Sequence, residues 1–465
     1  MIILHSKGKS MSQSLSENED TIIALATPNG VGAISVIRVS GPNAISSVDN
    51  VFSGKKKLLD CASHTIHYGK ILESGGEAID DVLVSVFSNG HSFTGEDSIE
   101  ISTHGSPFIA QKIISILLQQ NVRLAEPGEF TKRAFLNGKL DLAQAEAVAD
   151  VINSRTEVSL RGARNQLDGI LSKKIDSLRD KLIHTSSLIE LELDFAEEDI
   201  QFMSLQQILS NIDEILNELE KLIQTFSFGK VIRDGVNVAL VGPPNSGKSS
   251  LLNYFLKEAR AIVSEVPGTT RDIIREDLFI DGILFRLFDT AGLRDTEDQI
   301  EKEGVNRSRN ALKEADVVLF LNDSTVGFSE NLYTEILDLS SSNRILKVAN
   351  KVDLCNPDPK AYDVLISAKT GEGIQELFRK LKAIALGSST YTEKTAIVTN
   401  LRHYQSLQKA SDSLQSAKES ISQQLTGEFI SVDLRNAENS LGEIIGKITS
   451  DDILNNIFSK FCIGK

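Results

Sequence analysis

One stretch limits the possible folds more than any other: Gly242-Pro243-Pro244-Asn245-Ser246-Gly247-Lys248-Ser249-Ser250. It satisfies the phosphate-loop pattern G-x-x-x-x-G-K-[ST] through Gly242, Gly247, Lys248 and Ser249. The pattern works only between a strand and a helix. Consecutive backbone N–H groups and a helix N-terminus cradle phosphates, the lysine neutralises the outer ones, and the hydroxyl ligates magnesium. Both neighbours are present in sequence. The apolar run Val236 to Val241 reads as the strand, and Ser249-Ser250-Leu251-Leu252-Asn253 opens a helix.

Further signals follow in order and specify the base. Asp289-Thr290-Ala291-Gly292 ends a second strand-like run, Ile283 to Phe288. There an aspartate can hold a magnesium-bound water and a glycine N–H can sense the γ-phosphate. Asn350-Lys351-Val352-Asp353 follows Ile345 to Ala349. A carboxylate that accepts two hydrogen bonds suits guanine, which offers N1–H and an exocyclic amine on one edge; adenine does not. Ser367-Ala368-Lys369, after Val364-Leu365-Ile366, brings a backbone N–H near the guanine oxygen. Each tetrapeptide is common alone. In this order, each at the end of a strand-like run, they describe a guanine-nucleotide domain.

One position departs from the ordinary pattern. Ras-like enzymes place a water-orienting glutamine after this aspartate motif, whereas this chain has Leu293. Leucine cannot align water, so another group must. The following loop carries Asp295, Glu297, Asp298, Glu301 and Glu303, one of which can act directly or through a second water; a solvated acidic loop is the alternative. No arginine is marked as a transition-state cation. Asn245 in the phosphate loop offers a ligand for a monovalent cation instead.

The 465 residues suit about three domains. A hydrophobic fraction of 41%, without an apolar run of membrane-spanning length, predicts a soluble protein with no membrane span. Cys61, Cys355 and Cys462 lie far apart with no metal-ligand spacing, which fits a reducing cytoplasm. A net charge of −15 argues against indiscriminate nucleic-acid binding, so contact with RNA requires a local patch or a partner to supply positive charge.

Residues 1–19 read as a disordered tail, and 20–137 as an α+β domain with strand-like runs Ile22–Ala26, Ala33–Ile37 and Asp81–Val86. From 138 to 234 the period turns helical. Ile175, Leu178, Leu182 and Ile189 share one face, and Leu205, Ile212, Leu216, Leu219, Ile223 and Phe226 form a second stripe. The helical period returns over 389–465, with Leu407, Ala410, Leu414, Ala417 and Ile421. The predicted architecture is multidomain α/β and α: an N-terminal α+β domain, a helical bundle made from both flanks, and a Ras-like P-loop α/β domain (235–388) inserted into it. The acidic turn Asp194 to Asp199 reads as a solvated connection.

Several other stretches carry a resemblance. They are Ala26-Thr27-Pro28, Ile37-Arg38-Val39-Ser40-Gly41, Ser92-Phe93-Thr94-Gly95-Glu96-Asp97, Pro127-Gly128-Glu129-Phe130, Arg133-Ala134-Phe135-Leu136-Asn137, Leu140 to Ala147, Gly268-Thr269-Thr270-Arg271-Asp272 and the terminus Phe461-Cys462-Ile463-Gly464-Lys465. With them the chain resembles, over nearly its full length, the bacterial tRNA-modification GTPase family called MnmE or TrmE. The resemblance implies an N-terminal folate-binding and dimerising domain, a helical domain and an inserted GTPase. It implies a homodimer that joins a FAD- and NADH-dependent partner, MnmG, in a heterotetramer. Together they add an aminomethyl or carboxymethylaminomethyl group to C5 of the wobble uridine of certain tRNAs, with a tetrahydrofolate derivative supplying the one-carbon unit.

Carried onto this sequence, the family pattern lays Asn245, Ser246, Gly247, Lys248, Ser249, Ser250, Ser264, Glu265, Val266, Pro267, Gly268, Thr269 and Thr270 along the nucleotide. With them go Asp289, Thr290, Ala291, Gly292, Asn350, Lys351, Asp353, Ser367, Ala368 and Lys369. Ser249 and Thr270 would hold magnesium. Asn245, Ser264, Val266 and Thr269 would surround potassium, which replaces an arginine finger, and Glu301 matches the catalytic glutamate. Arg38, Glu100, Lys139 and Lys465 match folate contacts: a carboxylate can pair with the pterin amine and ring N–H, and cations suit the glutamate tail. Cys462 is either a small apolar filler or a thiol nucleophile near the one-carbon donor. A ribosome-assembly GTPase switch remains the alternative, because such proteins share the nucleotide motifs.

Overall fold

The computed structural model describes residues 20–88, 90–194, 204–258, 275–289, 312–386, 396–423 and 425–464. They fall into two compact units, one drawn from 1–149 and 442–465 and the other from 150–441.

The first unit is built on a seven-stranded sheet. Its strands are β1 (Thr21–Leu25), β2 (Ile34–Ser40), β3 (Phe52–Gly54), β4 (Thr65–Leu72), β5 (Ala78–Phe87), β6 (Ser98–His104) and β7 (Val122–Leu124), in the order β3-β4-β5-β6-β2-β1-β7. Pairing is antiparallel except where β1 runs parallel to β7. Period-two burial makes one face: Val82, Val84 and Val86 of β5 pack with Ile99 and Ile101 of β6. Helices α1 (Ala44–Asp49) and α2 (Pro107–Leu117) cover that face through Ala44, Val48, Ala110, Ile113 and Leu117.

Helices α3 (Glu129–Leu136) and the start of α4 (Leu142–Asn153) share a smaller core with the C-terminal segment. Phe135, Leu142 and Ala145 meet Leu454 and Phe458 there. A Cβ on Gly464, whose φ is +96°, would lie 2.3 Å from the Leu25 carbonyl oxygen, so only glycine lets the tail reach the end of β1.

An ionic cluster ties these pieces together. Arg133 is 1% exposed and donates to Asp20 Oδ1 (2.7 Å), Glu96 Oε1 (3.1 Å) and Glu129 Oε1 (2.9 Å). Arg123 adds a two-pronged pair to Glu129 at 2.8 and 2.5 Å. Burial opposes ionisation of Glu129, yet the Arg123 and Arg133 guanidiniums and the Glu126 N–H hold its carboxyl below the usual carboxylate range.

The second unit joins helices to a six-stranded sheet. Helices α5 (Glu157–Leu167), α6 (Ile170–Asp194), α7 (Leu205–Gln224) and α8 (Phe226–Asp234) precede the sheet. A capping box opens α5 through Thr156 and Ser159, and another opens α7 through Ser204 and Gln207. The sheet order is β13-β12-β11-β8-β10-β9, from β8 (Val236–Val241), β9 (Arg275–Ile280), β10 (Ile283–Asp289), β11 (Val317–Asp323), β12 (Ile345–Asn350) and β13 (Val364–Leu365). All pairs are parallel except β9 with β10. Helices α9 (Lys248–Glu258), α10 (Glu330–Leu339) and α11 (Ile374–Leu386) give it cores on both faces, and its central strands are predominantly apolar.

Helix α12 (Leu401–Ser422) returns along α7 and buries Leu407, Ala410, Leu414, Ala417 and Ile421, as their spacing predicts. Helix α13 (Gly427–Ile445) meets α6 through Ser186–Glu438 (2.6 Å) and Arg435–Glu190 (2.8 Å), and α14 (Asp451–Phe458) ends the chain's helices. The stripe predicted on α7 is corrected. Ile208, Ile212, Ile215, Leu219 and Leu222 are the buried set, whereas Leu205 is exposed and Phe226 belongs to α8, stacked on Tyr404. Two adjacent apolar faces exist in that helix sequence, and the position of α12 selects one.

Replacing Arg133 with Met should destabilise the chain by about 3–5 kcal/mol in denaturant unfolding, because Glu96, Glu129 and Asp20 would lose a buried partner. Glu129 titrates below its unfolded value of 4.5, so its contribution is complete above pH 4.5 and fades as the pH falls through the lower folded value. The variant should lose part of that acid sensitivity.

Candidate functional site

The predicted phosphate loop sits between β8 and α9. Gly242 passes so close to β11 that a Cβ would lie 2.1 Å from the Leu321 carbonyl oxygen. Asn245 takes a left-handed φ of +61°, which asparagine tolerates, and its side chain is exposed. Lys248 Nζ donates to the carbonyls of Gly242 (2.7 Å) and Pro243 (3.0 Å), which folds the ammonium over the loop. Ser249 and Ser250 are exposed in the first turn of α9.

A single side chain joins this loop to the guanine motifs. Asn350, 2% exposed at the end of β12, donates from Nδ2 to Ser246 O (2.9 Å) and accepts at Oδ1 from Ala368 N–H (2.9 Å). Gly247 has φ +95°, and a Cβ there would stand 2.2 Å from Asn350 Nδ2. The second glycine of the loop is therefore required by backbone conformation and by the amide pressed against it. Asp353 is exposed, with one carboxylate oxygen accepting from Ser367 Oγ (2.7 Å). That bond sets the carboxylate's orientation. Lys369 is exposed beside it.

Asp323, at the end of β11, escaped the sequence reading. Lys351 adopts φ +66° and reaches Asp323 Oδ2 at 2.6 Å, while Thr325 donates from N and Oγ1 to Oδ1. Ser324 N–H donates to Asn350 O and its Oγ to Lys351 O, both at 2.9 Å. Burial opposes the Asp323 charge, yet Lys351 and Thr325 hold its carboxyl below the usual range. The signal available in sequence was an acid closing the apolar run Val317 to Leu321.

Among the residues matched to magnesium and potassium, Ser249 and Asn245 are described. Ser264, Glu265, Val266, Pro267, Gly268, Thr269, Thr270, Thr290, Ala291, Gly292, Leu293 and Glu301 lie outside the described residues, and of Asp289 only the strand end is described. Ser246 is fully buried with its hydroxyl unpartnered.

In the first unit, Arg38 and Glu100 stand opposite each other on β2 and β6. Arg38 donates from Nε (3.0 Å) and Nη2 (2.7 Å), both to Glu100 Oε1. Its guanidinium lies 5.6 Å from the Phe93 ring centre and 5.7 Å from that of Phe130. Lys139 is exposed, with its stem beside Gly95 of the same loop that carries Phe93. Cys462 is exposed, its carbonyl accepting from Gly128 N–H at 3.4 Å, so its thiol is not a core filler. Lys465 lies outside the described residues.

Asp353→Asn would present an amide where guanine also donates. GTP affinity should fall by about 2–3 kcal/mol, and xanthosine triphosphate should become the better ligand in competition titrations. Asp323→Asn should speed dissociation of a fluorescent GDP, and a Lys351→Ala, Asp323→Asn double variant should release it no faster than Lys351→Ala.

Two family models match the chain: the GTP-binding protein TrmE N-terminus over residues 21–139 and the MnmE helical domain over 142–462. Curated relatives match throughout. The "tRNA modification GTPase MnmE" of Carboxydothermus hydrogenoformans is 44% identical, covering 96% of this chain and 100% of its own. Those of Flavobacterium johnsoniae and Cytophaga hutchinsonii are 45% and 44% identical, covering 96% and 97% of this chain and 100% and 99% of theirs. The nucleotide motifs alone left a ribosome-assembly switch open, but the matches extend far beyond those motifs. With a phosphate loop clasped to a guanine loop and family matches on both flanks, this chain belongs to the MnmE family of tRNA modification GTPases and is a GTP-hydrolysing enzyme.

Proposed function

We propose that the chain hydrolyses GTP to drive modification of tRNA. With a FAD- and NADH-dependent partner of the MnmG type, it adds an aminomethyl or carboxymethylaminomethyl group to C5 of the wobble uridine, drawing the carbon from a tetrahydrofolate derivative. The observation that carries this reading is the Asn350 clasp in a chain whose non-GTPase segments match the same family.

In the proposed mechanism, loop amides and Lys248 bind the outer phosphates, and Asp353 selects guanine. Ser249 with Thr270 would hold magnesium, which neutralises phosphate charge when bound. Asn245 with Ser264, Val266 and Thr269 would hold potassium where other GTPases place an arginine. Glu301 orients water in place of the missing glutamine, and two such domains meet within a homodimer. The exposure of Asn245 at the loop tip supports this arrangement, since a buried amide could not face a second domain.

For the folate, Arg38 uses only Oε1 of Glu100, so Oε2 is placed to accept from a pterin amine. Phe93 and Phe130 hold the guanidinium in position, and Lys139 and Lys465 supply cations for the glutamate tail. Cys462, exposed beside Gly128, is close to the tail residues this pocket requires.

Nucleoside analysis of tRNA from cells lacking this chain should show loss of the C5-modified wobble uridine. Unmodified profiles identical to the parent strain would refute the reading. GTP hydrolysis should be much faster in potassium than in sodium. Asn245→Ala should erase the difference, and Glu301→Ala should lower kcat with little change in KM. Deleting residues 462–465 should weaken formyl-tetrahydrofolate binding in titration calorimetry while GTP binding persists; full folate affinity would remove Lys465 from the pocket.

A further inference from the structure

Arg155 lies in the short link between α4 and α5, outside the nucleotide-binding sheet, yet its guanidinium pairs with Asp277 of β9. Asp277 stands opposite Arg286 in the β9–β10 register, and its second oxygen lies 3.9 Å from Arg286 Nε. One carboxylate is thus held from two sides, by the neighbouring strand and by the helical part. Among the described residues the strand it belongs to is the sheet's outermost, with β10 as its strand neighbour, so Arg155 is a second anchor for β9.

These groups border a cavity of about 290 Å³ whose lining includes Asn153, Arg155, Arg233, Arg286 and Thr399. Arg233 donates to Asp150 Oδ1 at 2.9 Å. Each guanidinium already faces a carboxylate of this chain. That balance argues against an anion site and describes a joint.

Its position gives the joint a consequence. β9 begins at Arg275, directly after the Gly268 to Asp272 motif, and β10 ends at Asp289, in the motif predicted to hold the magnesium-bound water. The Asn350 clasp and the guanine loops lie on β12, β13 and the β8–α9 turn, which Arg155 does not touch. We propose that Arg155 is a positioning residue for GTP hydrolysis: through Asp277 it sets β9 and β10, and with them the catalytic segments, from the helical part of the chain. Because the anchor sits on a helix link, movement of those helices alters hydrolysis.

The inference rests on the hydrolysis assigned above, so the wild-type rate is the control: an inactive wild type would refute that assignment and leave the joint a purely structural pair. The full-length variants Arg155→Ala, Asp277→Ala and their double should be compared in kcat, KM, fluorescent GDP affinity and thermal midpoint. Each single should lower kcat roughly tenfold, the scale of a misplaced catalytic segment. The double should be no worse than the poorer single, with GDP affinity kept within about twofold. Arg155→Lys, which keeps the charge but loses the fork, should fall between wild type and Arg155→Ala, and remains informative if Asp277→Ala fails to fold. Unchanged kcat, additive losses, or a loss of GDP affinity in step with kcat would each overturn the proposal.

Discussion

The nucleotide site depends on one side-chain amide. Asn350 spends its donor on the phosphate-loop carbonyl of Ser246 and its acceptor on the Ala368 N–H, and it is almost fully buried while doing so. Three loops from separate strand ends are thereby held in one arrangement. The geometry tolerates no substitute of similar shape: an aspartate would set a carboxylate against a carbonyl oxygen, and a Cβ at Gly247 would collide with the amide. Phosphates and base are then read by loops whose spacing has already been set, which lowers the ordering cost of binding.

Around this clasp the sheet places doubly buried strands on one side and an edge on the other. Strands β8, β11 and β12 are buried on both faces and carry the clasp and the Lys351–Asp323 pair, with Asp353 just beyond β12. Strands β9 and β10 lie toward the edge, next to the segments predicted to change with the γ-phosphate. The Arg155–Asp277 pair lies on that edge side, with Arg155 half exposed and Asp277 a quarter exposed.

The first unit uses charge differently. Arg133 is buried among three carboxylates, so its cluster is costly to disrupt and ties β1, the Ser92 to Asp97 loop and α3 into one piece. The Arg38–Glu100 pair stands on the same sheet but is a third exposed or less, with one carboxylate oxygen uncommitted. One cluster is closed on itself, and the other presents hydrogen-bonding capacity. That contrast separates a structural network around Arg133 from the Arg38–Glu100 pair, which the family resemblance marks as a ligand contact.

Local chemistry made much of this legible. A phosphate loop demands a strand before it and a helix after it, and β8 and α9 lie where the apolar run and the Gly-Lys-Ser signal require. Guanine motifs announce themselves because a base edge can be matched by few side chains, and the heptad-like spacing in α12 names its own buried face. Pairing across long sequence separations was not written locally. The α7 stripe was ambiguous until α12 lay against it, Asp323 gained meaning only from Lys351 folding back on it, and Arg155 was an ordinary link residue until β9 arrived beside it. The sequence by itself determined which backbone turns and which chemical groups the nucleotide site contains, because those depend on neighbours a few residues apart. Which carboxylate meets which cation was decided by the tertiary structure alone, because a charged side chain is defined by its partner, and these partners stand as far apart in sequence as the 245 residues between Glu190 and Arg435.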